Sequence, residues 1–330
     1  MKAYVVDQAG HREGMHITEM ERPEPKSGDV LVRIQAVGLN PVDYKSADWG
    51  HVAWSYPHIL GVDGAGVVEK VGSDVKGFKA GDRVYGLFDL TRHGTFAEYA
   101  IGKAHTLAMM PGKLSFEEAA AIPCAGWTAY QAFHRRFHLK PGQKVLIHAG
   151  SGGVGSYAIQ LARRQSLQVL TTCSHENVPY VRDLGADFVI DYRTEDIFER
   201  VMNYTDGKGV HAILDTIGGP LVDDNFKLLT FGGTYLGLVD VPDTSTAPMF
   251  EKALNVGMLF LGGAFTMGSL EDQNDLAVMG AEMNRLIEDK KISSTLTEVL
   301  PFEKIPEGLD RLATHRVRGK LVARVSEHLP

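Results

Sequence analysis

The chain has 330 residues, 44% hydrophobic and 23% charged, with a formal net charge of −7. That composition suits an ordinary globular protein of about two domains, and an acidic balance without a basic run excludes the electrostatic footprint of a nucleic-acid binder. No apolar run reaches the ~18 residues of a membrane span, and two cysteines, Cys124 and Cys173, are too few for a disulfide framework and point to a reducing, cytoplasmic compartment.

The opening MKAYVVDQAG alternates like a strand and lacks the apolar core of a signal peptide. Up to about residue 110 the chain reads as β-rich. Val30 to Val37, Gly64 to Val71 and Arg83 to Leu87 are β-branched runs between turn signals such as PEPKSGD, GSD and KAGD, which suggests a small barrel or sandwich. At Ser115 the character changes to helix, with Ser115 as N-cap, Glu117 and Glu118 in the first turn, and Pro123 expected to interrupt it.

From Lys144 strand and helix alternate. Val145, Leu146 and Ile147 form the short apolar run of a strand buried on both faces. Gly150, Gly152 and Gly155 complete a G-x-G-x-x-G, and Val154, Ala158, Leu161 and Ala162 then line one helix face. A second strand, Val169 to Cys173, supplies the context that turns this motif into a dinucleotide reading: tight turn, open approach for a pyrophosphate, close helix packing, and phosphates held at a helix N-terminus. Further strand candidates are Phe188 to Ile190, Val210 to Leu214, Thr234 to Leu238 and Met258 to Leu261, with helices at Asp196 to Asn203 and Leu221 to Leu229. Six strands with intervening helices predict a doubly wound α/β sheet. Asp240 to Pro248 reads as a surface loop. Helices around Asp275 to Asp289 and Pro306 to Thr314 and a strand, Lys320 to Val325, close the chain.

Several segments together resemble the medium-chain dehydrogenase/reductase superfamily over nearly the full length. They are VGLNPVDYK (Val37 to Lys45), PHILGVDGAGVVEKVG (Pro57 to Gly72), GDRVYG (Gly81 to Gly86), GTFAEY (Gly94 to Tyr99), AGWTAY (Ala125 to Tyr130), the glycine loop, LGADFVIDY (Leu184 to Tyr192) and RGKLV (Arg318 to Val322). The resemblance implies a GroES-like β-rich catalytic domain from residues 1–122 and 267–330, and a Rossmann domain inserted at 123–266. It also implies a homodimer through edge strands of the Rossmann sheet.

Zinc-dependent members place Cys, His and Cys at three separated positions. Here these are Asn40, Val62 and Cys124, so only one ligand type survives where catalytic zinc needs three protein ligands. His51, His58, His93 and His105 lack ligand spacing and read as packed or solvated. No metal is expected, and the chain is similar to the zinc-free, zeta-crystallin-like quinone oxidoreductases and alkenal or enone reductases. That resemblance implies hydride transfer from NADPH to a small-molecule quinone or activated C=C bond, acceptors electrophilic enough to need no Lewis acid. Enoyl-thioester reduction and non-enzymatic, crystallin-like NADPH binding are the alternatives.

NADPH is preferred over NADH because Ser174 stands where an NAD site carries an acid, although Glu176 lies two residues on. Tyr192 matches the related NADPH enzymes, while their Lys appears here as Asn177. The resemblance further implies cofactor contacts at Thr128, Gly153, Val154, Gly237, Leu238, Gly263, Ala264 and Phe265. Thr128 equally suits a helix threonine bonding its own i−4 carbonyl. In NPVDYK, Asn40 would touch the nicotinamide or the substrate carbonyl, Lys45 the nicotinamide ribose, and Tyr44 would donate to the reduced product. The plain alternative is a polar turn. Asp43 reads as structural, pairing with backbone or Lys45, and Cys124 as a small buried hydrophobe. Trp49, Trp54 and Tyr56 line either an acceptor pocket or a surface loop. Arg318 and Lys320 read as residues that reach a phosphate or, more commonly for such side chains, as solvated.

Overall fold

The computed structural model describes residues 1–10, 12–219, 222–245 and 247–325. The chain divides into two compact units, Met1–Trp127 together with the chain from Leu261 onward, and Thr128–Phe260.

The Thr128–Phe260 unit is built on a six-stranded sheet, parallel at every pairing. From edge to edge its strands are Phe188–Asp191, Gln168–Cys173, Lys144–Ile147, Val210–Asp215, Leu229–Gly237 and Asn255–Met258. The first strand in the chain, Lys144–Ile147, lies between the second and the fourth. The order therefore reverses there, which opens a crevice at the carboxyl ends of these strands. Val145, Leu146 and Ile147 are fully buried, as a strand covered by helices on both faces requires. Leu146, Leu170, Ile213, Phe226 and Tyr235 belong to the core that this creates. Each such side chain contributes about 1.5–3 kcal/mol by leaving water. Helix Ile197–Tyr204 starts where Asp196 accepts from the Glu199 N–H. Helix Val222–Leu228 matches the expected one except that Leu229 already begins the next strand, and Leu221 lies outside the described residues. The last strand begins three residues before the apolar run Met258 to Leu261. As an edge strand its place is set by pairing, Thr234 with Asn255 through Gly237 with Met258, more than by hydrophobicity.

The other unit holds a seven-stranded and a three-stranded sheet. Its longest strand, Asp29–Gly38, pairs with Asp63–Val71 on one side and with Tyr99–Lys103 and Lys320–Arg324 on the other. Val32, Ile34, Phe96, Leu309 and Leu321 are core residues there, so both ends of the chain build one core. Helix Phe116–Ala120 is capped reciprocally by Ser115 and Glu118. At Pro123 it gives way to a wider π-type turn, Pro123–Trp127, because proline removes the donor that a regular helix needs. Helix Leu270–Glu288 starts five residues earlier than its apolar spacing suggests, at a capping box formed by Ser269 and Asp272.

Candidate functional site

The glycine loop joins strand Lys144–Ile147 to helix Gly153–Arg164, at the carboxyl end of the central strand. Its three glycines do different work. A Cβ on Gly150 would lie 2.0 Å from Thr171 Oγ1, and one on Gly155 would lie 2.3 Å from the Ala149 carbonyl. Both are fixed by protein packing. A Cβ on Gly152 meets only the Ala149 carbonyl, at 3.3 Å, so that face of the loop is open. The first helical bond runs from Ser156 N–H to the Gly152 carbonyl, which leaves the N–H groups of the first turn, Gly153 and Val154 included, outside the helical ladder. An open glycine face beside a helix N-terminus suits a pyrophosphate.

Behind the loop lies a directional chain of buried polar groups. Ala149, at φ +50°, donates its N–H to Thr172 Oγ1 at 3.0 Å. The Thr172 hydroxyl is 3.4 Å from His148 Nδ1, and His148 Nε2 is 2.7 Å from Asn225 Oδ1. Asn225 Nδ2 donates to Asp215 Oδ2 at 3.1 Å, which also accepts from the Tyr235 hydroxyl at 2.8 Å. Asp215 Oδ1 receives the N–H groups of Ile217 and Gly218. His148 is thereby assigned as neutral, with its proton on Nε2, and burial pushes its pKa down. The chain ties the glycine loop to the turn after strand Val210–Asp215. Leu238 joins that turn by its N–H to the Asp215 carbonyl, just beyond Gly237 at the end of strand Leu229–Gly237.

Strands Gln168–Cys173 and Phe188–Asp191 run in register, Cys173 opposite Asp191, so Ser174 and Tyr192 leave the sheet side by side. Asn177 Nδ2 donates to Ser174 Oγ at 3.1 Å. Arg193 Nη1 donates to Glu176 Oε1 at 3.3 Å. The Glu176 carboxyl is held below its usual range by its own backbone N–H, then by the Ser174 hydroxyl, then by Arg193. Tyr192 is half exposed.

In the other unit, NPVDYK forms helix Pro41–Trp49, with Asn40 at its cap. Asn40 is buried and fully engaged. Its amide nitrogen donates to Asp63 Oδ2 at 2.9 Å and to the Gly38 carbonyl at 3.3 Å, and its Oδ1 accepts from Lys320 Nζ at 2.5 Å. Lys320 also donates to the Leu39 carbonyl at 2.9 Å and lies 3.6 Å from Asp63 Oδ2. Asp63 Oδ1 takes the Cys124 N–H, and Asp43 takes the N–H groups of Asn40 and Val62. Burial, then the charge of Asp63, pushes Asp43 up to about 8. Burial pushes Asp63 up to about 6 against the pull of Lys320. At neutral pH the cluster thus holds one ammonium, one carboxylate and one protonated acid.

This corrects one expectation. Lys320 is 3% exposed and ion-paired, not solvated, because a strand paired on both sides carries it into the core. Asn40, expected at the nicotinamide or the substrate carbonyl, directs its amide nitrogen to Asp63 and the Gly38 carbonyl. Asp43 bonds to backbone, as expected, and Lys45 instead extends over the Trp49 ring, 6.0 Å from its centroid. Tyr44 is buried in the core of the unit. Thr128 is buried at the start of helix Thr128–Gln131, in the Thr128–Phe260 unit. Gly263, Ala264 and Phe265 form the short helix Gly263–Thr266 on the other side of the division. Trp54 stacks on His58 at 3.9 Å, with Tyr56 and His93 against the same imidazole, so these rings pack on one another while Trp49 is exposed. Burial and the charge of Asp63 push the Cys124 thiol up, which keeps it protonated.

Residues 26–112 match the alcohol dehydrogenase GroES-like domain, and residues 184–322 match the zinc-binding dehydrogenase family. A quinone oxidoreductase of Pongo abelii is 35% identical over 321 residues, covering 94% of each chain. The chain belongs to the medium-chain dehydrogenase/reductase superfamily, a family of oxidoreductases. Another member, an alcohol dehydrogenase of Geobacillus stearothermophilus, is 31% identical over 98% of this chain and 100% of its own. The crystal structure of the Escherichia coli quinone oxidoreductase complexed with NADPH superposes with a TM-score of 0.87 at 26% identity, covering 98% of this chain and 100% of that one. Within the superfamily this chain groups with the quinone oxidoreductases.

Asp63, Lys320, His148, Asp215 and Arg193 were not singled out from sequence as site residues. Asp63 and Asp215 carried a signal all the same, an acid inside or ending an apolar strand, which burial forces to find partners. Lys320 and Arg193 carried none.

Proposed function

We propose that this chain is a zinc-independent, NADPH-dependent reductase of a quinone or of the activated C=C bond of an α,β-unsaturated carbonyl. The observation that carries this reading over alcohol oxidation is the Lys320 ammonium bound to Asn40 and Asp63. The residues at the three family zinc positions do not fit the metal. Asn40 offers an amide oxygen already bonded to a cation, Val62 offers no ligand atom, and the Cys124 thiol is protonated. Among the described residues no group of three or more His, Cys, Asp or Glu side chains is arranged to hold a metal ion.

The cofactor fits the other unit. The open face of Gly152 and the N–H groups of Gly153 and Val154 would hold the pyrophosphate, Ser174, Asn177 and Tyr192 the adenine ribose and its phosphate, and Gly237, Leu238 and Thr128 the nicotinamide half. When bound, NADPH supplies the hydride. Tyr44 and Lys45 are the proposed donors toward product oxygen and ribose, with Gly263, Ala264 and Phe265 against the nicotinamide; Asn40 keeps helix Pro41–Trp49 in place. The proposed domain division is 1–122 with 267–330 around 123–266, and the proposed assembly is a cytoplasmic homodimer.

The test is NADPH oxidation against a quinone, a 2-alkenal and an enoyl thioester, before and after dialysis against a chelator. Turnover of the quinone or the alkenal that survives chelation is expected. Activity confined to the thioester, alcohol oxidation lost with the metal, or NADPH binding without turnover would each displace this reading.

A further inference from the structure

Beside Ser174 and Tyr192 the structure sets a carboxylate where a phosphate would be expected. Glu176 holds the Arg193 guanidinium at 3.3 Å. Asn177, 3.1 Å from Ser174 Oγ, supplies an amide and no charge. Arg193 is thus the cation facing this corner, and an acid of the chain itself holds it. Both partners are largely exposed, at 46% and 60% of the side chain, so the pair is screened by water and salt and is easily exchanged. A phosphate monoester carries more charge than a carboxylate and offers three acceptor oxygens to a planar guanidinium. It outcompetes Glu176 for the guanidinium. A ribose 2′-hydroxyl has no such claim, and Glu176 in its present place is positioned to accept from it.

We infer that Arg193 and Glu176 form an exchangeable pair that sets the choice between NADPH and NADH. Arg193 binds the 2′-phosphate when it is present, and Glu176 is the resident counter-ion that it leaves. The inference rests on the dinucleotide reading above and deepens it, because it names the residues that discriminate between the two cofactors. It also gives the site a cation in place of the missing Lys at Asn177.

The experiment measures NADPH and NADH dissociation constants of the full chain by nicotinamide fluorescence, for the parent, Arg193→Gln, Glu176→Gln and the double variant. Arg193→Gln is expected to weaken NADPH by roughly tenfold or more, the scale of one lost charge-assisted contact, and to leave NADH within about twofold. Glu176→Gln should tighten NADPH and weaken NADH. In the double variant the two cofactors should bind with nearly equal affinity. Equal effects of Arg193→Gln on both cofactors, or none on either, would reduce the pair to an ordinary surface ion pair. A parent that prefers NADH but still loses NADPH selectively in Arg193→Gln would retain this inference while overturning the NADPH preference. A parent that binds neither dinucleotide would overturn both.

Discussion

Replacing Lys320 by Met removes the only cation of the cluster with Asn40, Asp43 and Asp63 while keeping most of the side-chain volume. Two costs follow. Asp63, now about 6, loses its partner and takes up a proton; at pH 8 that proton sits two units above its present pKa, about 2.7 kcal/mol at 1.36 kcal/mol per unit. The Leu39 carbonyl and Asn40 Oδ1 each lose a bond, about 1 kcal/mol apiece. The sum, about 4–5 kcal/mol, agrees with the ~3–5 kcal/mol typical of breaking a buried pair. At pH 5.5 the proton is already largely in place and only the second cost remains, about 1–2 kcal/mol. Thermal melts at the two pH values should therefore differ, with a loss of roughly 8–16 °C at pH 8 and a few degrees at pH 5.5. Adding Asp63→Asn should recover most of the loss at pH 8. An equal loss at both pH values, or no recovery in the double variant, would show that Lys320 matters by packing and not by charge.

Three further outcomes are expected. Gly152→Ala should melt like the parent yet bind NADPH at least ~10-fold more weakly in a fluorescence titration, while Gly155→Ala should fail to fold well, since its methyl would lie 2.3 Å from a backbone oxygen. Asn225→Leu should cost about 1–3 kcal/mol in denaturant melts by stranding His148 and Asp215, and should weaken NADPH because the glycine loop loses its tie to the turn at Ile217 and Gly218. Asp43 and Asp63 bind protons more tightly in the folded chain than in the unfolded one, so their contribution to stability is complete below pH ~4 and falls as pH rises through about 6 and about 8. Melting temperature measured from pH 5 to 9 should decline accordingly, and the Asp43→Asn variant should decline less.

The sequence exposed most of the dinucleotide unit because a parallel sheet buried on both faces writes itself as short apolar runs. Lys144–Ile147 and Gln168–Cys173 were legible for that reason, and the glycines between them for steric ones. The edge strand Asn255–Met258 was misplaced because one side is unpaired and hydrophobicity there is not demanded. Helix Leu270–Glu288 began early because its start is written in the polar pair Ser269 and Asp272, not in its apolar stripe. The polar clusters were the hardest to read. Nothing local in RGKLV tells that Lys320 will lie beside Asn40, some 280 positions away, and nothing in DYRTE that Arg193 will meet Glu176. Periodicity reports which face is buried; it carries no information on which charge will be brought to meet it.

The pairing of Asp29–Gly38 with Lys320–Arg324 has a consequence for synthesis on the ribosome. The dinucleotide unit is one continuous stretch, Thr128–Phe260, and its strands find neighbours as they emerge. The other unit is divided in sequence, and its early strands wait for the last ones, the long-range closure that slows folding. Until Lys320 leaves the exit tunnel, Asp63 lacks the ammonium that pairs with it in the folded chain. The nascent chain should therefore carry a finished cofactor unit beside an open first half, and truncation before residue 320 should yield a dinucleotide-binding fragment with an unfolded companion.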